Sequence, residues 1–213
     1  MLQIKTLIFN PLQENTYVIY DETKECAIID PGCAYAEEEF ELLDFIAHQG
    51  LTPKFLLNTH CHIDHVVGNA FVKKQFGVPL YIHKEDEFLL KGAQESAKRF
   101  GFFNFVPSEA DFYYDMEKEF TVGNTSFKLL HLPGHAPGHI GFYQEQEGIL
   151  ISGDVLFRGS FGRYDLPGGS LPILRNTIVN QLFTLPENVK VYPGHGNPTT
   201  IGFEKVNNMI LSY

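Results

Sequence analysis

Four short apolar runs in this chain each stop at a histidine or an aspartate, and that pattern restricts the fold more than any other feature. Phe55–Thr59 runs into His60-Cys61-His62-Ile63-Asp64-His65, and Phe127–Leu132 runs into Pro133-Gly134-His135. Ile149–Gly153 ends at Asp154, and Val189–Gly194 ends at His195. In the last three a glycine stands directly before the polar residue, which permits a sharp turn and close backbone approach. Short apolar runs of this kind read as buried strands, and functional side chains gather on loops at one end of a rigid sheet. With these strand ends at one edge, seven side chains converge: His60, His62, Asp64, His65, His135, Asp154 and His195.

Five imidazoles and two carboxylates exceed the needs of one tetrahedral zinc, which takes four ligands when structural and three plus water when catalytic. They suit two adjacent ions sharing one carboxylate, as in sites whose ions lie roughly 3.5–4 Å apart. His60 and His62 are two residues apart, so a helix would throw them to opposite faces. An extended or looped segment lets both reach one ion. The zincin motif, with its histidines four apart on a helix, is therefore excluded.

The remainder of the chain reads as mixed α and β. Leu2–Phe9, Thr16–Tyr20 and Cys26–Asp30 are strands separated by turn residues. Glu37–Gln49 reads as a helix from Phe40, Leu43, Ile46 and Ala47, with Gly50 as its C-terminal cap. Lys54–Asn58 and Pro79–Ile82 read as strands, and Val66–Phe76 and Lys84–Arg99 as helices. Glu119–Val122 and Thr125–His131 flank Gly123-Asn124, a hairpin signal. Ile140–Tyr143, Ile149–Ile151 and Lys190–Tyr192 complete the strands. Leu171–Phe183 and Ile201–Leu211 are the last helices, the latter preceded by the possible caps Thr199-Thr200. Two packed sheets with helices outside fit this order, and so does one open sheet. With no linker or repeat in sight, residues 1–213 are expected to form one domain.

Composition narrows the function. With 16 Lys+Arg and 26 Asp+Glu, the net charge is 16 − 26 = −10, which disfavours nucleic acid or an anionic membrane as a partner. The 44% hydrophobic and 20% charged shares are those of a globular chain rather than a disordered one. Three cysteines do not make a disulfide framework. No signal-peptide core or membrane span is visible, so a cytoplasmic location is expected.

Thr59-His60-Cys61-His62-Ile63-Asp64-His65 resembles the HxHxDH signature of the metallo-β-lactamase superfamily. Asp30-Pro31-Gly32, Pro133-Gly134-His135, Gly153-Asp154 and Gly194-His195 follow in that superfamily's order. The resemblance implies an α/β (α+β) fold, an αββα sandwich of two mixed sheets with helices on the outer faces. It implies that His60, His62 and His135 hold one divalent metal, that Asp64, His65 and His195 hold a second, and that Asp154 bridges them. Zinc is the first expectation, with iron or manganese as alternatives. Asp30 and His139 are expected to support the ligands from behind.

Within the superfamily the chain is most similar to the glyoxalase II (hydroxyacylglutathione hydrolase) group, on Leu132–His139 and Gly153–Arg163. Arg163 falls where that group contacts the thiol-tripeptide's carboxylate, and the adjoining Arg158 and Tyr164 are further candidate substrate contacts. The chain ends 213 − 195 = 18 residues after His195, so the group's C-terminal glutathione-binding helical domain is not expected. Gly196-Asn197-Pro198 stands where the group carries a tyrosine near the last ligand. The chain thus resembles a short single-domain variant.

The expected reaction is hydrolysis of an anionic acyl thioester, such as a hydroxyacylglutathione, by a metal-bound hydroxide, with Asp64 and Asp154 as the catalytic carboxylates. The nearest alternative is a persulfide dioxygenase, which shares Asn58–His62 and Gly162-Arg163. It uses one iron held by the equivalents of His60, His135 and Asp154, and tends to carry cysteine where this chain has His139. Weaker alternatives are another thioesterase, a lactonase, a β-lactamase or a non-catalytic metal-binding scaffold. Monomer and homodimer both remain open. Cys61 is expected to point away from the metals, and His48, His83 and His131 to be structural or exposed. The four phenylalanines of Phe100–Phe105 are read as a lid, an apolar wall or core.

Overall fold

Strand β1 (Gln3–Phe9) pairs antiparallel with β2 (Glu14–Tyr20), from Gln3 opposite Tyr20 to Phe9 opposite Glu14. The turn between them uses left-handed backbone at Asn10 (φ 52°) and Gln13 (φ 56°), and the Asn10 carbonyl accepts from the Gln13 N–H at 3.0 Å. Asparagine tolerates this conformation because its short side chain bonds locally, and here the Asn10 amide donates to the carbonyls of Gly32 and Asp64. The computed structural model describes all residues 1–213. It divides into two compact units, residues 1–115 with 121–126, and residues 116–120 with 127–213.

In the first unit β3 (Glu25–Ile29) extends the hairpin antiparallel, and β4 (Thr52–Leu57), β5 (Leu80–Ile82) and β6 (Phe112–Tyr113) follow in parallel. Parallel neighbours need crossovers. These are α1 (Ala36–Gln49), α2 (Ile63–Val66) with α3 (Asn69–Phe76), and α4 (Glu87–Lys91) with α5 (Ala93–Phe100). The topology decides where the chemistry sits. Ile29 is the register partner of Leu57, so the carboxyl ends of β3 and β4 put Asp30 and Asn58 side by side. One apolar cluster, including Val18, Ile28, Leu42, Leu56, Val72 and Leu80, fills this unit.

The second unit carries the sheet β14-β13-β10-β9-β8-β7, apart from residues 121–126 at the β7–β8 turn, which group with the first unit. Its strands are β7 (Phe120–Val122), β8 (Thr125–His131), β9 (Ile140–Gln144), β10 (Ile149–Gly153), β13 (Lys190–Pro193) and β14 (Thr199–Thr200). A small hairpin, β11 (Leu156–Phe157) and β12 (Ser160–Phe161), follows β10. Helices α6 (Leu171–Asn180) and α7 (Ile201–Asn207) pack residues such as Leu174, Ile178 and Ile201 into its core. β10 and β13 are parallel, with Gly153 opposite Pro193, and Gly194 N–H donates to the Gly153 carbonyl at 2.8 Å. Asp154 and His195 therefore emerge side by side, as Asp30 and Asn58 do in the first unit.

Several expectations are corrected. The buried face of α1 is Leu42 and Ile46 with Phe45 against the core, while Phe40 is 68% exposed; both sets have helical spacing, and only the packing partner chooses between them. The segment Lys84–Arg99 is not one helix. It is a 3₁₀ turn, then α4, then α5, interrupted at Gly92, whose helix propensity is about 1 kcal/mol poorer than alanine's. The helix expected from Val66 starts earlier, at Ile63, so Asp64 and His65 lie on a helical turn while His60 and His62 precede it. The helices expected over Leu171–Phe183 and Ile201–Leu211 each end in a separate 3₁₀ turn. The cap reading at Thr200 holds: its hydroxyl accepts from Phe203 N–H at 3.2 Å.

Candidate metal centre

In the first unit the ligand-type side chains are fixed from behind. Asp30, 1% exposed, is itself left-handed (φ 50°), which turns its carboxylate back under the β4 end. One oxygen accepts from Thr59 N–H at 2.7 Å, and the other from the Thr59 hydroxyl at 2.6 Å. That hydroxyl also lies 3.0 Å from His60 Nδ1. Since its proton goes to Asp30, it accepts from His60, so His60 carries its proton on Nδ1 and presents Nε2 as a lone pair. His65 Nδ1 lies 3.2 Å from the same Asp30 oxygen, so His65 too carries its proton on Nδ1 and turns Nε2 toward Asp64. The rings of His60 and His62 are 4.8 Å apart and those of His60 and His65 4.2 Å. His65 Nε2 is 3.6 Å from an Asp64 oxygen.

The second unit repeats this construction. His135 Nδ1 is 2.7 Å from the Arg163 carbonyl, so its proton points there and its Nε2 faces Asp154 at 3.6 Å. His195 Nε2 is 3.5 Å from the same Asp154 oxygen. His139, fully buried, accepts the Asp154 backbone N–H on its Nε2 at 3.0 Å. It holds the position of Asp154 rather than a ligand imidazole.

These spacings test whether the residues fit a metal. A charge-assisted N–H···O bond would bring each pair to about 2.7–2.9 Å. Two donors each about 2.1 Å from one tetrahedral ion lie roughly 3.4 Å apart. The observed 3.5–3.6 Å matches the second arrangement, and imidazole with carboxylate is a donor set that suits divalent transition metals.

Two buried acids support the first unit without any mark in the sequence beyond an acidic residue near apolar neighbours. Glu14, 0% exposed on β2, accepts from the Thr16 hydroxyl at 2.8 Å and comes within 3.8 Å of His65 Nδ1. Burial pushes its carboxyl well above the usual range, partly opposed by His65. Asp86 accepts the Cys61 N–H at 3.0 Å and so pins the loop between the two first histidines. Cys61 itself lies in the apolar cluster, and burial pushes its thiol up. It remains a thiol between ligands, pointing away as expected. Among the candidate substrate contacts, Arg163 forks onto Asp165 at 2.8 and 2.9 Å, holding that carboxyl down at about 2. Arg158 lies over the Phe203 ring at 5.1 Å, and Tyr164 stacks on Phe161. Ser152 bonds only to nearby carbonyls.

Asp30→Asn tests the support. An amide would point two N–H donors at groups that now donate to Asp30, reversing both tautomers. Metal affinity is expected to fall about 10–100-fold, read by competition with a chelator.

The family model for the metallo-beta-lactamase superfamily matches residues 9–195. The chain is 38% identical over 213 residues to "Hydroxyacylglutathione hydrolase GloC" of Haemophilus influenzae, covering 99% of each chain. Among solved structures it is similar to the BLEG-1 B3 metallo-beta-lactamase, at 36% identity and TM-score 0.90, covering 99% of this chain and 100% of that one. It is also similar to TTHA1623 in a di-iron-bound form, at 36% identity and TM-score 0.86, covering 96% and 98%. This chain's two mixed sheets flanked by helices match the fold of these solved structures, and the chain belongs to the metallo-β-lactamase superfamily of metal-dependent hydrolases.

Proposed function

We propose that this protein is a binuclear metallohydrolase that cleaves acyl thioesters of the hydroxyacylglutathione type. The observation that carries the reading is the complete set of ligand-type side chains, with the tautomers of His60, His65 and His135 fixed, on a chain alike end to end with the Haemophilus hydrolase. In this reading His60, His62 and His135 would hold one divalent ion, Asp64, His65 and His195 would hold the other, and Asp154 would be shared between them. Zinc is the favoured metal. Iron is the alternative, supported by the di-iron form of TTHA1623.

The chemistry that two divalent ions bring when bound is a water acidified toward neutrality and a polarised acyl oxygen. The chain's residues do the rest. Asp30, through Thr59 and directly, holds His60 and His65 in one tautomer. The Arg163 carbonyl does so for His135, and His139 fixes the backbone of Asp154. Asp64 keeps 9% of its surface open, so its carboxylate can accept a hydrogen bond from the attacking water and orient it at the acyl carbon. Arg163 binds a substrate carboxylate by exchanging it for Asp165, whose bidentate contact has the same geometry. Tyr164 adjoins Arg163 in the chain, and Arg158, over the Phe203 ring, is a second candidate cation for the substrate. The cysteines are free and buried, which suits a reducing compartment, and no helix is long and apolar enough to cross a membrane.

The test measures metal per chain, then activity on S-lactoylglutathione without oxygen and on glutathione persulfide with oxygen. About two metals per chain and oxygen-independent thioester cleavage are expected. One iron per chain with oxygen uptake on the persulfide would overturn the reading.

A further inference from the structure

The first unit holds a cavity of about 540 Å³ that none of the chemistry above uses. Three segments wall it: the entry to α1 with Cys33 and Glu39, the face of α2–α3 with Val67 and Lys74, and the stretch Gly101–Val106 after α5. That last stretch is the phenylalanine-rich segment of the sequence. The structure splits it by role. Phe102 and Phe105 are 6% and 8% exposed and join the apolar cluster, whereas Phe103 is 85% exposed beside them.

The position of the cavity follows from helix geometry. Val67 and Gly68, between α2 and α3, keep right-handed helical backbone, so residues 63–76 follow one roughly helical track. Asp64, Val67, Phe71 and Lys74 are spaced at three, seven and ten residues, which places them on one face. At about 1.5 Å per residue the cavity wall begins roughly 4.5 Å along the track from Asp64 and ends roughly 15 Å from it. The cavity therefore continues the Asp64 face away from the candidate metal centre. Its inner end is tied to that centre as well, because Gly68 N–H donates to the Pro31 carbonyl at 2.8 Å, one residue beyond Asp30.

Its chemistry selects the occupant. Most of the lining is apolar or aromatic, with Asn104 and Tyr35 as its uncharged polar members, and the two charged side chains, Glu39 and Lys74, are of opposite sign. Burial raises the Glu39 carboxyl while Lys74 draws it back down. A space with no net charge and apolar walls gains nothing from a charged ligand and makes it shed its water. The glutathione half of a thioester carries two carboxylates and an ammonium, so it does not belong there. A hydrocarbon acyl group does, and a volume of this size is typical of small-ligand pockets.

We propose that this cavity is the acyl-group pocket of the enzyme and takes an uncharged medium-chain acyl tail, so that the preferred thioester is longer and more apolar than a lactoyl one. This inference rests on the thioester-hydrolase reading, and the experiment separates the two. On the metal-loaded protein, kcat/KM is measured for acetyl- and octanoyl-glutathione. Octanoyl is expected to be preferred at least about tenfold, since each buried methylene adds to transition-state binding. Ala70→Phe, which fills the cavity from α3, and Val106→Trp, which narrows its exposed mouth, are each expected to bring that ratio close to one. Equal kcat/KM for both thioesters in the unmodified protein would overturn the pocket and leave the hydrolase standing. If no thioester is cleaved, the hydrolase reading fails, and uptake of the uncharged dye N-phenyl-1-naphthylamine decides the pocket. Uptake that octanol displaces and Ala70→Phe abolishes would support the cavity as an apolar site; no uptake would overturn it.

Discussion

Asp154→Asn is expected to fold as the parent does and to lose hydrolysis by at least about 100-fold, beyond the 10–100-fold typical of residues that only support a ligand. Asp154 is the one carboxylate whose oxygen stands between two imidazoles of the second unit, 3.6 Å from His135 Nε2 and 3.5 Å from His195 Nε2. An amide keeps the shape but brings no negative charge to share between two cations. Its backbone anchor, the N–H bond to His139, is untouched, so the circular dichroism spectrum and melting temperature should hold. Metal content should fall from about two per chain to one or fewer. Full activity in this variant would end the binuclear reading.

The largest stability effect is expected at Gly134, directly before His135. Its φ is 129°, a conformation side chains rarely adopt, and a Cβ there would overlap the backbone of Leu174 on α6. Leu174 is fully buried in the second apolar cluster, and the Gly134 carbonyl also accepts the N–H of Ser170 at 2.8 Å, the residue that caps α6. Gly134→Ala must therefore move α6 or carry His135 away, and should lose more than about 3 kcal/mol. For a chain of this size that is a fall of roughly 6–12 °C in melting temperature. Gly196→Ala separates strain from overlap. Gly196 also has positive φ, 75°, yet a Cβ there meets nothing within 4 Å, so the loss should be only about 1–2 kcal/mol. Equal effects at the two positions would show that packing against α6 is not what makes Gly134 special.

The centre was legible in the sequence because its residues punctuate strands. A parallel strand pair buried on both faces is a plain apolar run, and the polar residue that ends it stands out, as at Asp154 and His195. The strands β3, β4, β10 and β13 and the Gly123-Asn124 hairpin are visible for the same reason. Other features depend on neighbours far away in the chain. β6 is two residues long and exists by its pairing with β5, and β14 likewise by pairing with β13. Glu14 and Asp86 look like ordinary acids until burial and the groups they face are known. Helix α1 offered two apolar faces of correct spacing, and only contact with the sheet favoured Leu42 and Ile46 over Phe40. The helical turn at Ile63–Val66 begins inside the ligand motif, where an extended segment explains His60 and His62 and says nothing of Asp64 and His65.

The tautomer locks carry a consequence for how the centre can be damaged. Asp30, Thr59 and the Arg163 carbonyl set their imidazoles through hydrogen bonds made within the chain. Three rings thus depend on partners outside the candidate ligand set, so a substitution at Asp30 or Thr59 disturbs the centre while every candidate ligand stays in the sequence.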